Sequence, residues 1–329
     1  MQDTMLMDAH SVQDSLTREE VVGAYELFLD RKPESEAVID GHLSTCRTIT
    51  ELYSKMMSSA EYQCRALDRC SHLYVRDYDP SEIEVEANES ELNQLIKRVE
   101  TVWSALGQNE PYWSVLTDDI FRRENIDDHQ VDQFYRSGSQ EVFDVENAFR
   151  RNGLTPSPTW SIVDLGCGSG RVAEHFSSRY ALYTGIDISA SHLRIANERA
   201  SRIGRMNQKF MFLRDFIRAT EISYDLFFSI ITLQHNSPPI ITWLLRQCLE
   251  RVKPSGFAFF QVPCHLSGYR FSVREYLMAA PQTSMEMHAI PQRQVVKLLN
   301  EKGFQIIELL PYPKIGPCGF SFMFFAQRC

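Results

Sequence analysis

The stretch Ser161 to Arg171, SIVDLGCGSGR, limits the possible fold more than any other part of the chain. A short apolar run passes directly into a turn with glycine at 166, 168 and 170. An apolar run of this length, bounded by glycine, reads as a buried strand. The glycines let the turn tighten while a ligand lies against bare backbone at the start of the next helix. The dinucleotide fingerprint places its third glycine one residue later, so a nicotinamide or flavin enzyme is disfavoured.

From Trp160 onward, short apolar runs alternate with amphipathic helical segments. That is the pattern of a mainly parallel sheet covered by helices on both faces. The runs SIVDLG, ALYTGID, KFMFLRD, DLFFSIIT, GFAFFQVP, FQIIELLP and FSFMFFAQ predict seven strands. PYPKIGPCG, between the last two, is too short for a helical crossover, so the last strand is expected to be antiparallel. The fold class is therefore α/β, Rossmann-like.

The second run ends in Gly185-Ile186-Asp187-Ile188, where a carboxylate at the sheet's C-terminal edge can accept both hydroxyls of a ribose. The third ends in Arg214-Asp215-Phe216, an acceptor for an adenine amino group beside an aromatic ring. VDLGCGSGR, GIDIS, RDF and YDLFFSIITLQH together resemble the successive motifs of class I S-adenosylmethionine-dependent methyltransferases, over residues 160 to 329. The resemblance implies S-adenosyl-L-methionine as cofactor. Asp164, Gly166, Cys167, Gly168 and Gly170 would surround its methionine end, Asp187 and Ile188 its ribose, and Asp215 and Phe216 its adenine. PYWSVLT and FYRSG resemble the segment that folds over the cofactor in this class, so Tyr112, Trp113 and Tyr135 are expected to line a lid.

Ahead of this domain, Thr17 and Glu20 have the spacing of a capping box, and Val21, Val22, Tyr25, Phe28 and Leu29 recur at helical intervals. Further helices are expected after Pro33, from Thr50 to Met57 and from Ser59 to Leu67. AYELFLDRKPESEAVIDGHL and ITELYSKMMSSAEYQ resemble a small helical domain attached to bacterial glycosyltransferases and other surface-glycan proteins. The reading divides the chain into a helical domain (16–72), an acidic linker (73–91), a helical lead segment (92–158) with Gly107 capping its first helix, and the cofactor domain (159–329).

The length of 329 residues suits about two domains at roughly 150 residues each. A net charge of -9 without a concentrated basic stretch argues against nucleic acid as partner. No apolar run is long enough to span a bilayer, and MQDTMLMDAH lacks the features of a signal peptide, so a cytoplasmic location is expected. Eight scattered cysteines, without zinc-ligand spacing, give no reason to expect a metal.

Methylation of a hydroxyl calls for a base, and His235 at the end of the fourth run is the first candidate, with His288 the second. The long connection from Cys264 to Ile290 is expected to form the acceptor pocket, with His265, Tyr269, Arg270 and Arg274 binding hydroxyls or an anion. The leading expectation is O-methylation of a sugar or glycan-linked acceptor, with glycan-assembly proteins meeting the helical domain. A lipid, quinone-like or secondary-metabolite acceptor is the first alternative, marked by an apolar pocket. A non-catalytic scaffold that docks a glycosyltransferase is the second.

Overall fold

The computed structural model describes residues 16–29, 31–59, 61–62, 82–313 and 319–329. These fall into two compact units, one up to residue 62 and one from residue 82 onward. In the first, helices α1 (Arg18–Leu29), α2 (Glu36–Thr45) and α3 (Ile49–Ser58) enclose Val21, Tyr25, Leu29, Ile39, Leu52 and Met56. The Thr17 hydroxyl and backbone N–H both donate to Glu20, and Glu20 N–H donates back to Thr17, which starts α1 as its spacing predicts. The helix expected from Ser59 to Leu67 lies outside the described residues beyond 62.

The second unit is built on β1 (Ser161–Leu165), β2 (Leu182–Asp187), β3 (Gln208–Phe212), β4 (Tyr224–Ser229), β5 (Val252–Leu266), β6 (Phe304–Tyr312) and β7 (Gly319–Arg328). Their spatial order is β3-β2-β1-β4-β5-β7-β6, with β7 alone antiparallel to its neighbours. The chain reverses direction of travel across the sheet at β1 and β4, so a crevice opens at their C-terminal ends. One face packs Val163, Phe227, Ile241, Leu245 and Leu298, and the other packs Val145, Phe149, Ile162, Phe176 and Phe228. Burial on both faces explains why these strands read as continuous apolar runs rather than alternating ones.

The helices are α4 (Glu89–Asn109), α5 (Asp128–Ser137), α6 (Ser139–Arg151), α7 (Ala173–Ser177), α8 (Ala190–Arg202), α9 (Leu213–Arg218), α10 (Pro238–Leu249), α11 (Val273–Met278) and α12 (Gln292–Glu301). No helix among the described residues is long and apolar enough to cross a membrane. Gly107 does not cap α4, which runs two residues past it. A Cβ there would stand 2.4 Å from Ser189 Oγ and 2.6 Å from His192 Nδ1, so this glycine is required where α4 meets the start of α8.

Residues 82–88 differ most from the sequence expectation. They are a docked strap, not a linker: Ile83 is buried and bridges Phe271, while Val85 and Ala87 pack on the same core. Glu82 pairs with Arg270 at 3.2 Å, Glu84 accepts from Val273 N–H at 2.6 Å, and Glu86 pairs with Arg246 at 2.7 Å. The acidic composition concealed a two-residue alternation of apolar and acidic side chains. Residues 73–81 of the expected linker lie outside the described residues. Truncating Ile83 to Ala is expected to cost about 2–4 kcal/mol in a urea unfolding experiment, against well under 1 kcal/mol for an apolar residue in a free linker.

Candidate active site

The end of β1 is tied to the end of β2 before any ligand is considered. Gly166 N–H and Cys167 N–H both donate to the Ile186 carbonyl, at 2.7 and 3.0 Å. Asp187 then accepts from Gly168 N–H at one carboxylate oxygen and from Ser189 N–H at the other, each at 2.8 Å. Gly166 has φ +79°, and a Cβ on it would lie 2.1 Å from Thr232 Oγ1 after β4, so both its conformation and its neighbour exclude a side chain.

Over this turn lies a solvent-open cavity, lined on its polar side chiefly by Glu141, Asp164, Arg171, Asp187 and His192. Three carboxylates face one guanidinium. Arg171 is held by Glu141 at 2.6 and 3.0 Å in a buried two-point pair. Burial pushes the Asp164 carboxyl up to about 7, against the opposing hydrogen bond donated by Tyr183 OH at 2.5 Å. Burial also pushes the His192 pKa down, favouring the neutral ring, and its Nε2 lies 2.9 Å from Ser114 Oγ. Such a lining suits a ligand with a cationic centre and works against a pyrophosphate. The rest of the wall is mainly apolar, with Val99, Trp103, Val115, Ile230, Ile231 and Leu244, interrupted by Ser114, Thr232 and Asn236.

Of the residues singled out from sequence, Asp164, Gly166, Cys167, Gly168, Asp187 and Ile188 line this one cavity. Gly170 lies behind it with φ +79°, as part of the turn's geometry. Tyr135 is buried outside the lining and donates to the Ser169 carbonyl at 3.2 Å, so it supports the glycine turn from beneath. Tyr112 packs edge-on to Phe134 and Trp113 lies under Arg122, while Ser114 and Val115 of the same segment reach the cavity. The third strand stops at Phe212, so Asp215 sits on the first turn of α9 and is exposed, and Phe216 is buried in the core. Leu213 takes the place in the lining expected of them.

β4 ends at Ser229, and His235 falls in a short 3₁₀ turn, Leu233–His235, beyond it. Its Nδ1 lies 2.8 Å from the Glu286 carbonyl, and its ring packs 5.2 Å from that of Trp103, which lines the cavity. Burial holds its pKa below the usual histidine value, with the Glu286 carbonyl opposing and His288 adding to the shift. His288 is enclosed by Tyr269, Phe271 and Tyr276, with Nδ1 2.7 Å from Tyr269 OH. His265 is buried on β5, beside Phe320. Arg270 precedes α11 rather than sharing a helix face with Arg274, and it pairs with Glu82, while Arg274 is exposed. The four acceptor candidates therefore lie outside the cavity lining.

Residues 162–256 match the profile of a family described as a methyltransferase domain. Similar curated proteins include ubiquinone biosynthesis O-methyltransferases from Vibrio campbellii, 26% identical over 132 residues, and from Serratia proteamaculans, 25% identical over 187 residues. Those matches cover 40% and 51% of this chain, and 53% and 72% of the relatives. The chain spans about half the length of the first of these. Among solved structures, magnesium protoporphyrin IX methyltransferase from Synechocystis, with bound SAH, shares the fold at a TM-score of 0.50 and 18% identity, covering 71% of this chain and 99% of that one.

Glu141, Arg171, His192 and Trp103 are cavity residues that sequence patterning did not assign. A usable signal existed for one of them. Glu141 directly precedes the buried stripe Val142, Val145, Ala148 and Phe149 of α6, a position from which an acid is normally excluded unless paired. The raised Asp164 has a measurable consequence. Its folded form keeps a proton that the unfolded chain has released, so its contribution to stability declines as pH rises from the ordinary 3.8 to about 7. Denaturant melts should find Asp164→Asn gaining stability relative to wild type between acid and mildly alkaline pH; a constant difference would mean that the carboxyl titrates normally.

Proposed function

We propose that the chain is an S-adenosyl-L-methionine-dependent methyltransferase that O-methylates a small, ring-bearing, predominantly apolar acceptor of the quinol or phenol kind. The observation that carries the cofactor reading is the gathering of the glycine turn, Asp187 and the Glu141–Arg171 pair around one cavity whose carboxylates outnumber its cations. The donor set fits the ligand. Asp187 has lone pairs left for ribose hydroxyls, Ile188 and Leu213 offer apolar walls for a purine, and Glu141 with Arg171 can meet an ammonium and a carboxylate. When bound, the cofactor supplies an electrophilic methyl group on a sulfonium.

The acceptor reading draws on the mainly apolar remainder of the wall and on relatives named for ubiquinone biosynthesis. The protein's part is to hold a hydroxyl in line with the methyl in a water-poor space. His235 is assigned as the group that takes the hydroxyl proton. Its Nδ1 faces a carbonyl, which keeps the proton there and leaves Nε2 unprotonated, so that Nε2 can take a proton once the Gln234 amide 3.3 Å away turns aside, and its lowered pKa keeps the ring neutral. His288, sealed among aromatic rings, is assigned to shaping the insert rather than to proton transfer. A sugar hydroxyl is the second reading, favoured by the resemblance of residues 24–63 to helical domains of surface-glycan proteins.

Calorimetry tests the cofactor half. S-adenosyl-L-methionine and S-adenosyl-L-homocysteine are expected to bind and NADH not to. Glu141→Gln should weaken both amino-acid-bearing ligands about tenfold or more while leaving 5′-methylthioadenosine, which lacks that end, unchanged. Equal loss for all three ligands would remove the pair from recognition. A methyl-release assay over a quinol, a catechol, a nucleotide sugar and an extracted surface glycan tests the acceptor. Turnover confined to the sugars would overturn the primary reading. With the preferred acceptor, His235→Ala should lower kcat by about 10²–10⁴ without changing cofactor affinity.

A further inference from the structure

Gln261 stands in the middle of β5 between Phe260 and Val262 and is fully buried, in a strand whose other buried side chains are nearly all apolar. An unpartnered amide at such a place is strongly disfavoured. Three contacts meet this one. Its Oε1 accepts from Ile231 N–H at 2.9 Å, and its Nε2 donates to Gln234 Oε1 at 3.2 Å and to Ser321 Oγ at 2.5 Å. Gln234 is also buried, and its Nε2 stands 3.3 Å from His235 Nε2.

These contacts have a single consistent direction. Ile231 N–H can only donate, and the Glu286 carbonyl at the far end can only accept. From the first end, Gln261 must turn its oxygen toward Ile231 and its NH2 toward Gln234. Gln234 must then turn its own NH2 toward His235, whose Nε2 is left without a proton. From the other end, the Glu286 carbonyl requires the proton on Nδ1. Both ends select the same tautomer. Ile231 itself is a β-branched residue held at φ +57°, in the left-handed region, and it forms part of the cavity wall.

We propose that Gln261 is a positioning residue: through Gln234 it keeps the His235 imidazole neutral with Nε2 bare, and through Ile231 it holds the wall of the cavity. The part this plays in turnover rests on the reading of His235 as proton acceptor, whereas the ring state is measurable without any acceptor. Besides Gln234, the ring is faced by His288 and Glu286 from the insert and by the uncharged Trp103 from α4.

The test is imidazole 15N spectroscopy of the full chain across neutral pH, with the His235 signal identified by its loss in His235→Gln. Wild type should show the Nδ1–H form. Gln261→Leu should free the Gln234 amide to turn its oxygen toward Nε2, giving mixed tautomers, whereas Gln234→Leu removes that amide and leaves the Nδ1–H form that the Glu286 carbonyl selects; each should raise the ring titration by about one pH unit. Gln261→Leu alone should also weaken S-adenosyl-L-homocysteine about tenfold by calorimetry, because only it releases Ile231. A purely structural role would lower the melting temperature and leave tautomer and titration as in wild type, and that result in folded variants overturns the proposal. If Gln261→Leu does not fold, Gln234→Leu decides whether the relay sets the ring. Failure of the wild type to bind S-adenosyl-L-homocysteine would sink the cofactor reading and leave the ring measurement standing.

Discussion

The second unit is organised around one carboxylate. Asp187 draws the Gly168 and Ser189 amides onto its two oxygens, and so fixes the glycine turn after β1 against the start of α8 after β2. The turn can come this close only because 166 and 168 lack side chains, with Thr232 and Val115 occupying the space where Cβ atoms would be. Two loops and the covering segment are thereby registered on one another before any ligand is bound. Arg171 follows on the same turn, and its pairing with Glu141 brings α6 into the arrangement.

Much of the cavity's glycine-turn side was legible in sequence because its residues sit at strand ends, where pattern and chemistry coincide. Asp164, the glycines and Asp187 each close or follow an apolar run, and backbone pairing in the parallel sheet carries them to one edge. The adenine side was less legible. RDF reads as the end of a strand by composition, but the chain turns helical at Leu213, which leaves Asp215 exposed and places Leu213 in the wall. The segment 82–88 was misread for the opposite reason, since its charge outweighed a short alternation that only docking makes visible.

The acceptor side could not be read from composition, because polar residues in a long connection serve equally to bind a ligand or to hold the connection in place. Several contacts here do the second. Arg98 of α4 donates to the carbonyls of Tyr276, Leu277 and Ala279, Arg270 meets Glu82, and His288 N–H donates to the Gln234 carbonyl. What reaches the cavity instead is Trp103, from a helix that sequence patterning treated only as a cover. His235 fastens the connection through Nδ1, while its Nε2 faces the buried Gln234 amide.

The sheet order also bears on how the domain assembles. β6 precedes β7 in the chain yet touches the rest of the sheet only through it, and β5 finds its second neighbour only in β7. Until Gly319–Arg328 slides between them, β5 presents a bare edge carrying Phe257, Phe259 and Phe260, a surface that invites pairing with another unfinished chain. The β5–β7 pairing is long-range in sequence, and Ser321, which β7 carries to Gln261, completes the polar relay only when that pairing is made.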